Sequence, residues 1–161
     1  MKAAGDLRSS LGCFATGVTI VTAPTPAGPP VGLTVSSFNS VSLDPPLILF
    51  SIGRTAHSLP DLERAPAFAV NVLAADHEEL SRRFARTSTA KWDGIDYAIG
   101  HDGVPLLPDA LATFECRHYA VHDGGDHRIF IGEVVRHRSD PDLDPLLFFR
   151  GGYAAVTARA G

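Results

Sequence analysis

Two hydrophobic periods alternate along this chain. Over residues 6–16, Leu7, Leu11, Phe14 and Ala15 recur at i, i+4, i+7 and i+8, the apolar stripe of a short helix. Asp6 is placed to cap its start and Gly17 to stop it. The period then shortens to two. "VTIVTA" (18–23) alternates apolar residues with threonine and predicts a half-buried strand, and "PTPAGPP", which cannot join a ladder, predicts the turn after it. In "VGLTVSSFNSVSLDPPLILFSI" (31–52) small and hydroxyl residues alternate with Val, Leu and Phe until "LDPP" interrupts the run. "LILFSI" is then apolar enough for a strand covered on both faces.

"TAHSLPDLERA" predicts a short helix or turn, and "FAVNVL" (68–73) a buried strand. "ADHEELSRRFART" (75–87) predicts a helix capped by Asp76, with acids in its first turn and Arg82, Arg83 and Arg86 in its later turns, where the dipole favours cations. Residues 88–112 predict a long loop with a short strand around "DYAI". "ATFECRHYAVHD" and "HRIFIGEVVRHRS" then flank a glycine-rich bend as a hairpin, and "PLLFFRGGYAAV" adds a last strand pair. The expected architecture is mainly β: six or seven largely antiparallel strands with two or three peripheral helices. Full crossover helices between strands are scarce, so an antiparallel barrel fits better than a doubly wound sheet.

Composition narrows the function classes. The 161 residues predict a single domain over 1–161, long enough to bury roughly 70% of its unfolded surface. A net charge of −4 leaves no basic signature for nucleic acid or an anionic membrane. No run of about 18 apolar residues predicts a transmembrane helix, and the N-terminus has no apolar signal region. Cys13 and Cys116 stand far apart with no CxxC, which suits buried thiols in a reducing cytoplasm.

Several motifs are absent. The chain has no GxGxxG, no GxxxxGK[ST] and no GxSxG, which leaves the dinucleotide cradle, the P-loop and the α/β-hydrolase elbow unsupported. Its seven histidines form no HExxH; His118 and His122, four apart in a predicted strand, read as polar residues facing solvent, and no metal site is expected.

"FATGVTIVTA", "GLTVSSFNSVSLDPPLILFSI", "FAVNVL", "GGDHRIFIGEV" and "PLLFFRGGY", in this order, resemble the flavin reductase-like family, over about residues 7–156. The resemblance implies a split β-barrel that binds FMN or FAD, takes NADH or NADPH as cosubstrate, forms a homodimer and supplies reduced flavin to a separate monooxygenase. It places Thr34, Val35, Ser36 and Ser37 along the isoalloxazine and ribityl chain. These residue types suit that placement, since hydroxyls and main-chain N–H groups serve the ring edge and Gly32 lets the backbone come close. Ser51, Arg54, Thr55 and Ser58, near a strand exit and a helix start, are candidates for the phosphate, with Arg86 as a second cation. Asn71, a lone amide in a buried strand, needs a partner, either the flavin or a neighbouring loop.

His127 is the residue a plain hairpin does not require. It either caps a carbonyl of the bend or, as the resemblance implies, lies beside the flavin and positions the nicotinamide, with Asp126 orienting the imidazole. Tyr153 either covers the flavin edge or belongs to the core. Two other functions keep the same barrel: a flavin-binding electron carrier or storage protein without NAD(P)H turnover, and an interaction barrel with no flavin. Neither gives a reason for the GGDH bend.

Overall fold

A computed structural model of the chain describes residues 2–157 and, within them, the side chains from residue 6 onward. Helix α1 (Lys2–Leu11) is followed by strands β1 (Thr16–Gly17), β2 (Thr19–Ala23), β3 (Val31–Val35), β4 (Asn39–Leu43) and β5 (Pro46–Gly53). Helix α2 (Leu59–Arg64), β6 (Ala67–Val72) and helix α3 (Glu78–Ala85) come next. After them stand β7 (Ala98–Ile99), a 3-10 turn, β8 (Pro105–Leu106), the long pair β9 (Ala112–Gly124) and β10 (His127–Ser139), β11 (Leu147–Phe149) and β12 (Gly152–Ala154).

Seven strands form one antiparallel sheet in the order β3-β2-β6-β9-β10-β5-β4, while β1-β11-β12 and β7-β8 form small sheets beside it. The sheet curls round a core in which Phe50 stacks on Phe130 at 5.1 Å and meets Phe68 edge-on at 5.2 Å. Gly132 is required there, because a Cβ would lie 2.4 Å from the Phe68 ring. The two edge strands, β3 and β4, do not pair with each other, so the barrel stays split. Across the opening, the Ser37 hydroxyl accepts from the Ser51 N–H at 2.9 Å and donates to the Ser51 carbonyl at 3.0 Å.

The main expectations hold: mainly β, antiparallel, seven strands in the principal sheet. Several local ones need correction. The first helix ends at Leu11, before Phe14, and Gly17 pairs with Leu147 in β1 instead of ending a helix. Asp6 lies inside that helix instead of capping it. β2 is buried at every position, not half-buried, because β3 and β6 flank it and its threonine hydroxyls reach carbonyls. Thr19 donates to Val35 at 3.0 Å and Thr22 to Pro105 at 2.5 Å. Asp76 does not cap α3; its N-cap is His77, which bonds no helix N–H through its side chain. His118 does not face solvent: it sits half-buried against Phe68, with ring centroids 5.1 Å apart.

Candidate active site

A cleft of about 900 Å³, within the range typical of cofactor sites, opens between β3 and the end of β5. β3 and the residues after it form one wall, and the end of β5 with residues 56–58 forms another. The C-terminal end of α3 and the loop to Trp92 close one side, and His127 stands at the mouth. β3 is an edge strand, so alternate residues direct backbone groups away from β2 and into this space. Lys91 Nζ donates to the Gly32 carbonyl at 3.1 Å, which marks Gly32 as outward-facing. Thr34, two residues on, directs its N–H and C=O the same way.

The predicted residues divide into those that line the cleft and those that do not. Thr34, Val35, Ser36, Ser37, Ser51, Ser58, Arg86 and His127 line it. Their hydroxyls are not equivalent. Thr34 Oγ1 donates to the Ser81 carbonyl at 2.7 Å, and Ser37 is engaged with Ser51. Ser36 is exposed and has no side-chain hydrogen bond among the described residues. Arg86, at the C-cap of α3, likewise shows no ion pair among them.

Asn71, Arg54, Thr55, Asp126 and Tyr153 lie outside the cleft lining. Asn71 is fully buried and satisfied by the protein: its amide N–H donates to the Ile20 carbonyl and Thr22 Oγ1, each at 3.1 Å, and its oxygen accepts from Leu107 at 3.0 Å. The flavin alternative for Asn71 therefore gives way to the neighbouring loop. Arg54 is drawn instead to the hairpin, where it pairs with Asp123. Thr55 is exposed beside it. Tyr153 packs against Phe148, bonds Ser81 Oγ at 2.7 Å and lies under the Arg82 guanidinium at 4.7 Å, bordering a smaller cavity that Arg86 also lines. Gly32 makes room for a side chain and not for a ligand, since a Cβ would lie 2.3 Å from Phe84 Cε1.

At the mouth, Gly125 takes a φ of +70°, with Asp126 beside it, in the tight bend that returns β9 into β10. Asp126 Oδ1 holds His127 Nδ1 at 2.7 Å, leaving Nε2 as the second polar group of the ring. The imidazole beside Asp126 lowers the carboxyl pKa below its ordinary value.

The loop after α3 is the part that sequence reading missed. Beyond Arg86, which the sequence did offer as a cation, Thr87, Ser88, Thr89 and Lys91 all line the cleft. Lys91 donates to the Gly32 and Phe84 carbonyls at 3.1 and 3.0 Å, and burial lowers its pKa. Trp92 fixes the loop by donating to the Pro30 carbonyl at 2.7 Å. The signal was present as "RTSTAK" (86–91), hydroxyls between two cations directly after a helix. Its turn-rich setting hid it.

No group of three or more His, Cys, Asp or Glu side chains is arranged to hold a metal among the described residues. The donor set fits a flavin instead: outward backbone groups on an edge strand for a flat ring edge, a free hydroxyl at Ser36, and the Arg86 guanidinium with neighbouring hydroxyls for a phosphate. A split antiparallel barrel with such a cleft can hold a flat cofactor without a Rossmann domain, and the chemistry of the site rather than the fold marks it as a cofactor-binding barrel.

Comparison with known proteins agrees. Residues 11–157 match the flavin reductase like domain. The FMN reductase (NADH) SmoA of Agrobacterium fabrum is 51% identical over 92% of this chain and 83% of its own length. The flavin-dependent monooxygenase reductase subunit HsaB of Rhodococcus jostii is 41% identical over 92% of this chain and 76% of its own. Among solved structures, the Streptomyces globisporus NADH:FAD oxidoreductase in complex with NAD and FAD fragments superposes with a TM-score of 0.92. It is 39% identical over 99% of this chain and 96% of that one. The chain belongs to the flavin reductase-like family, and its activity class is that of the NAD(P)H:flavin oxidoreductases.

Proposed function

We propose that the cleft between β3 and β5 binds FMN or FAD, that NADH or NADPH docks over it beside His127, and that the reduced flavin passes to a separate monooxygenase. The observation that carries this reading is the chemistry of the cleft: an open strand edge at Thr34, a free hydroxyl at Ser36, a cation at Arg86, and His127 at the mouth. When bound, the flavin supplies the hydride acceptor, and the chain contributes position and electrostatics. The outward Thr34 backbone and Ser36 hydroxyl orient the ring edge and ribityl chain, while Arg86, Thr87 and Thr89 face the phosphate and Lys91, bonded to the Gly32 and Phe84 carbonyls, ties their loop to β3. His127, with Nδ1 fixed by Asp126, positions the nicotinamide, and hydride transfer asks no proton of it.

A homodimer is part of this proposal. Leu7, Leu11 and Phe14, which follow one another along and just past α1, are 60%, 64% and 77% exposed, and a second copy of the chain is the surface proposed to cover them. Cys116 is buried, but Cys13 is exposed in the turn after α1 instead of buried as expected; the two thiols are unpaired, which is compatible with the proposed cytoplasmic setting. No helix among the described residues is long and apolar enough to cross a membrane.

The test is NADH and NADPH oxidation by the purified protein with and without added FMN or FAD, after its visible spectrum is recorded. Saturable turnover dependent on free flavin is expected. His127→Ala is expected to raise the KM for the nicotinamide cosubstrate about tenfold while sparing flavin affinity. A yellow protein inert toward both cosubstrates would point to the carrier function instead.

A further inference from the structure

The bend that carries His127 is held from below by a chain of ion pairs that no part of the cleft requires. Arg54, just past the end of β5, makes three contacts with the hairpin. Its backbone N–H donates to the Asp126 carbonyl at 2.9 Å, its Nε to the Gly125 carbonyl at 2.9 Å, and its terminal nitrogen to Asp123 Oδ1. Both carbonyls of the two-residue bend therefore accept from one arginine. Asp123 is shared: Arg128, its cross-strand neighbour, also donates to Oδ1. Arg128 in turn reaches Glu63 on α2 at 3.1 Å. Asp123 thus joins the end of β5, the hairpin tip and α2.

Folding stability gives little account of the Arg54–Asp123 pair. The Arg54 and Asp123 side chains are 44% and 69% exposed, and ion pairs so exposed contribute little to folding. Geometry does account for it. A glycine-rich bend is the most permissive stretch of a hairpin, yet His127 must hold its ring over the cleft to within a fraction of an ångström to orient a nicotinamide. Because both carbonyls are bound to Arg54, and Arg54 to Asp123, the bend has one orientation relative to β5. The hydrogen bonds from the Arg128 and Arg54 guanidiniums lower the Asp123 carboxyl pKa below its ordinary value, which favours the ionised form that the clamp uses.

We infer that Asp123 is a positioning residue for cosubstrate binding: through Arg54 it locks the Gly125–Asp126 bend and thereby fixes His127 at the cleft mouth. This rests on the proposed role of His127. It also gives Arg54 a role other than binding a phosphate.

The test uses Asp123→Asn, which keeps the shape and removes the charge, and Asp123→Glu, which keeps the carboxylate. Amide hydrogen exchange on the flavin-free full-length protein is expected to quicken at residues 124–128 in Asp123→Asn and to stay unchanged in α3. With flavin saturating, the NADH KM is expected to rise about three- to tenfold, with the FMN Kd within about twofold of the parent. Asp123→Glu is expected to restore most of the loss. On a His127→Ala background, Asp123→Asn should add less than about twofold, because the two residues act through one contact.

An unchanged NADH KM in Asp123→Asn, or the same rise on both backgrounds, would overturn the positioning role. If His127→Ala alone leaves the NADH KM unchanged, the reading of His127 falls. The exchange data then decide the clamp separately: quickening at 124–128 upholds it and no change removes it.

Discussion

Asn71 and His118 show how differently two buried polar residues can be resolved. Asn71 has a partner for both its N–H and its carbonyl oxygen, so it binds strands to a loop. His118 has an Nε2 with no partner among the described residues and sits between Phe68 and Phe130. Burial lowers its pKa from the ordinary 6.5, so the folded protein takes up this proton less readily than the unfolded chain. The sign follows. Above pH 6.5 both states are neutral and nothing is lost; as pH falls below it the unfolded chain is protonated first and stability drops. The urea midpoint is expected to fall between about pH 7 and pH 5, and His118→Leu should flatten that part of the profile. Gly32 belongs to the same scale. Its glycine could be read as an opening for a ligand, but the space is filled by Phe84, which comes from a helix some fifty residues later.

At the scale of elements, α3 and the loop after it bring Arg86 and its neighbouring hydroxyls to the cleft, while the segment between β5 and α2 keeps Ser58 there and gives Arg54 to the hairpin. Phe84 is fully buried and meets Trp92 edge-on at 4.9 Å, so helix and loop are anchored together against β3. That anchoring brings Arg86 and Lys91 to the cleft, whereas Arg54 is engaged by the hairpin. Replacing Arg86 by alanine is therefore expected to weaken FMN binding about tenfold, or about 1.4 kcal/mol. It should leave riboflavin, which has no phosphate, nearly unaffected. Titration of both ligands by flavin fluorescence checks this, and an equal loss for both would mean that Arg86 does not face the phosphate.

For the whole molecule, α1 presents a difficulty that one chain does not resolve. Leu7 and Leu11 on the helix and Phe14 just past it form the stripe read from the sequence, yet all three are exposed. An amphipathic helix whose apolar face meets water needs another surface, and a second copy of the chain is the proposed one. Sedimentation should give a mass near twice 17.1 kDa, and polar substitutions at Leu11 and Phe14 should shift it toward the monomer. A parent protein that sediments as a monomer would remove the dimer from the proposal.

The alternation of periods by itself determined the strand-rich, antiparallel character of this protein and the β9–β10 hairpin, because period-two patterns and turn residues are local properties; the candidate wall at residues 34–37 came from the family resemblance of that stretch. The same locality set the GGDH bend and the charge order along α3. What only tertiary structure decided was which groups remain free. Thr34, Ser36 and Ser37 are alike in sequence, but Ser81 engages the first and Ser51 the last, leaving Ser36. Arg54 and Arg86 are equally basic, but Asp123 lies beside only one of them. A hydrogen bond or ion pair between residues 47 or 69 positions apart leaves no trace in either local pattern. Its partner is fixed by how the sheet curls, and that is why the chemistry of the residues was legible while their availability was not.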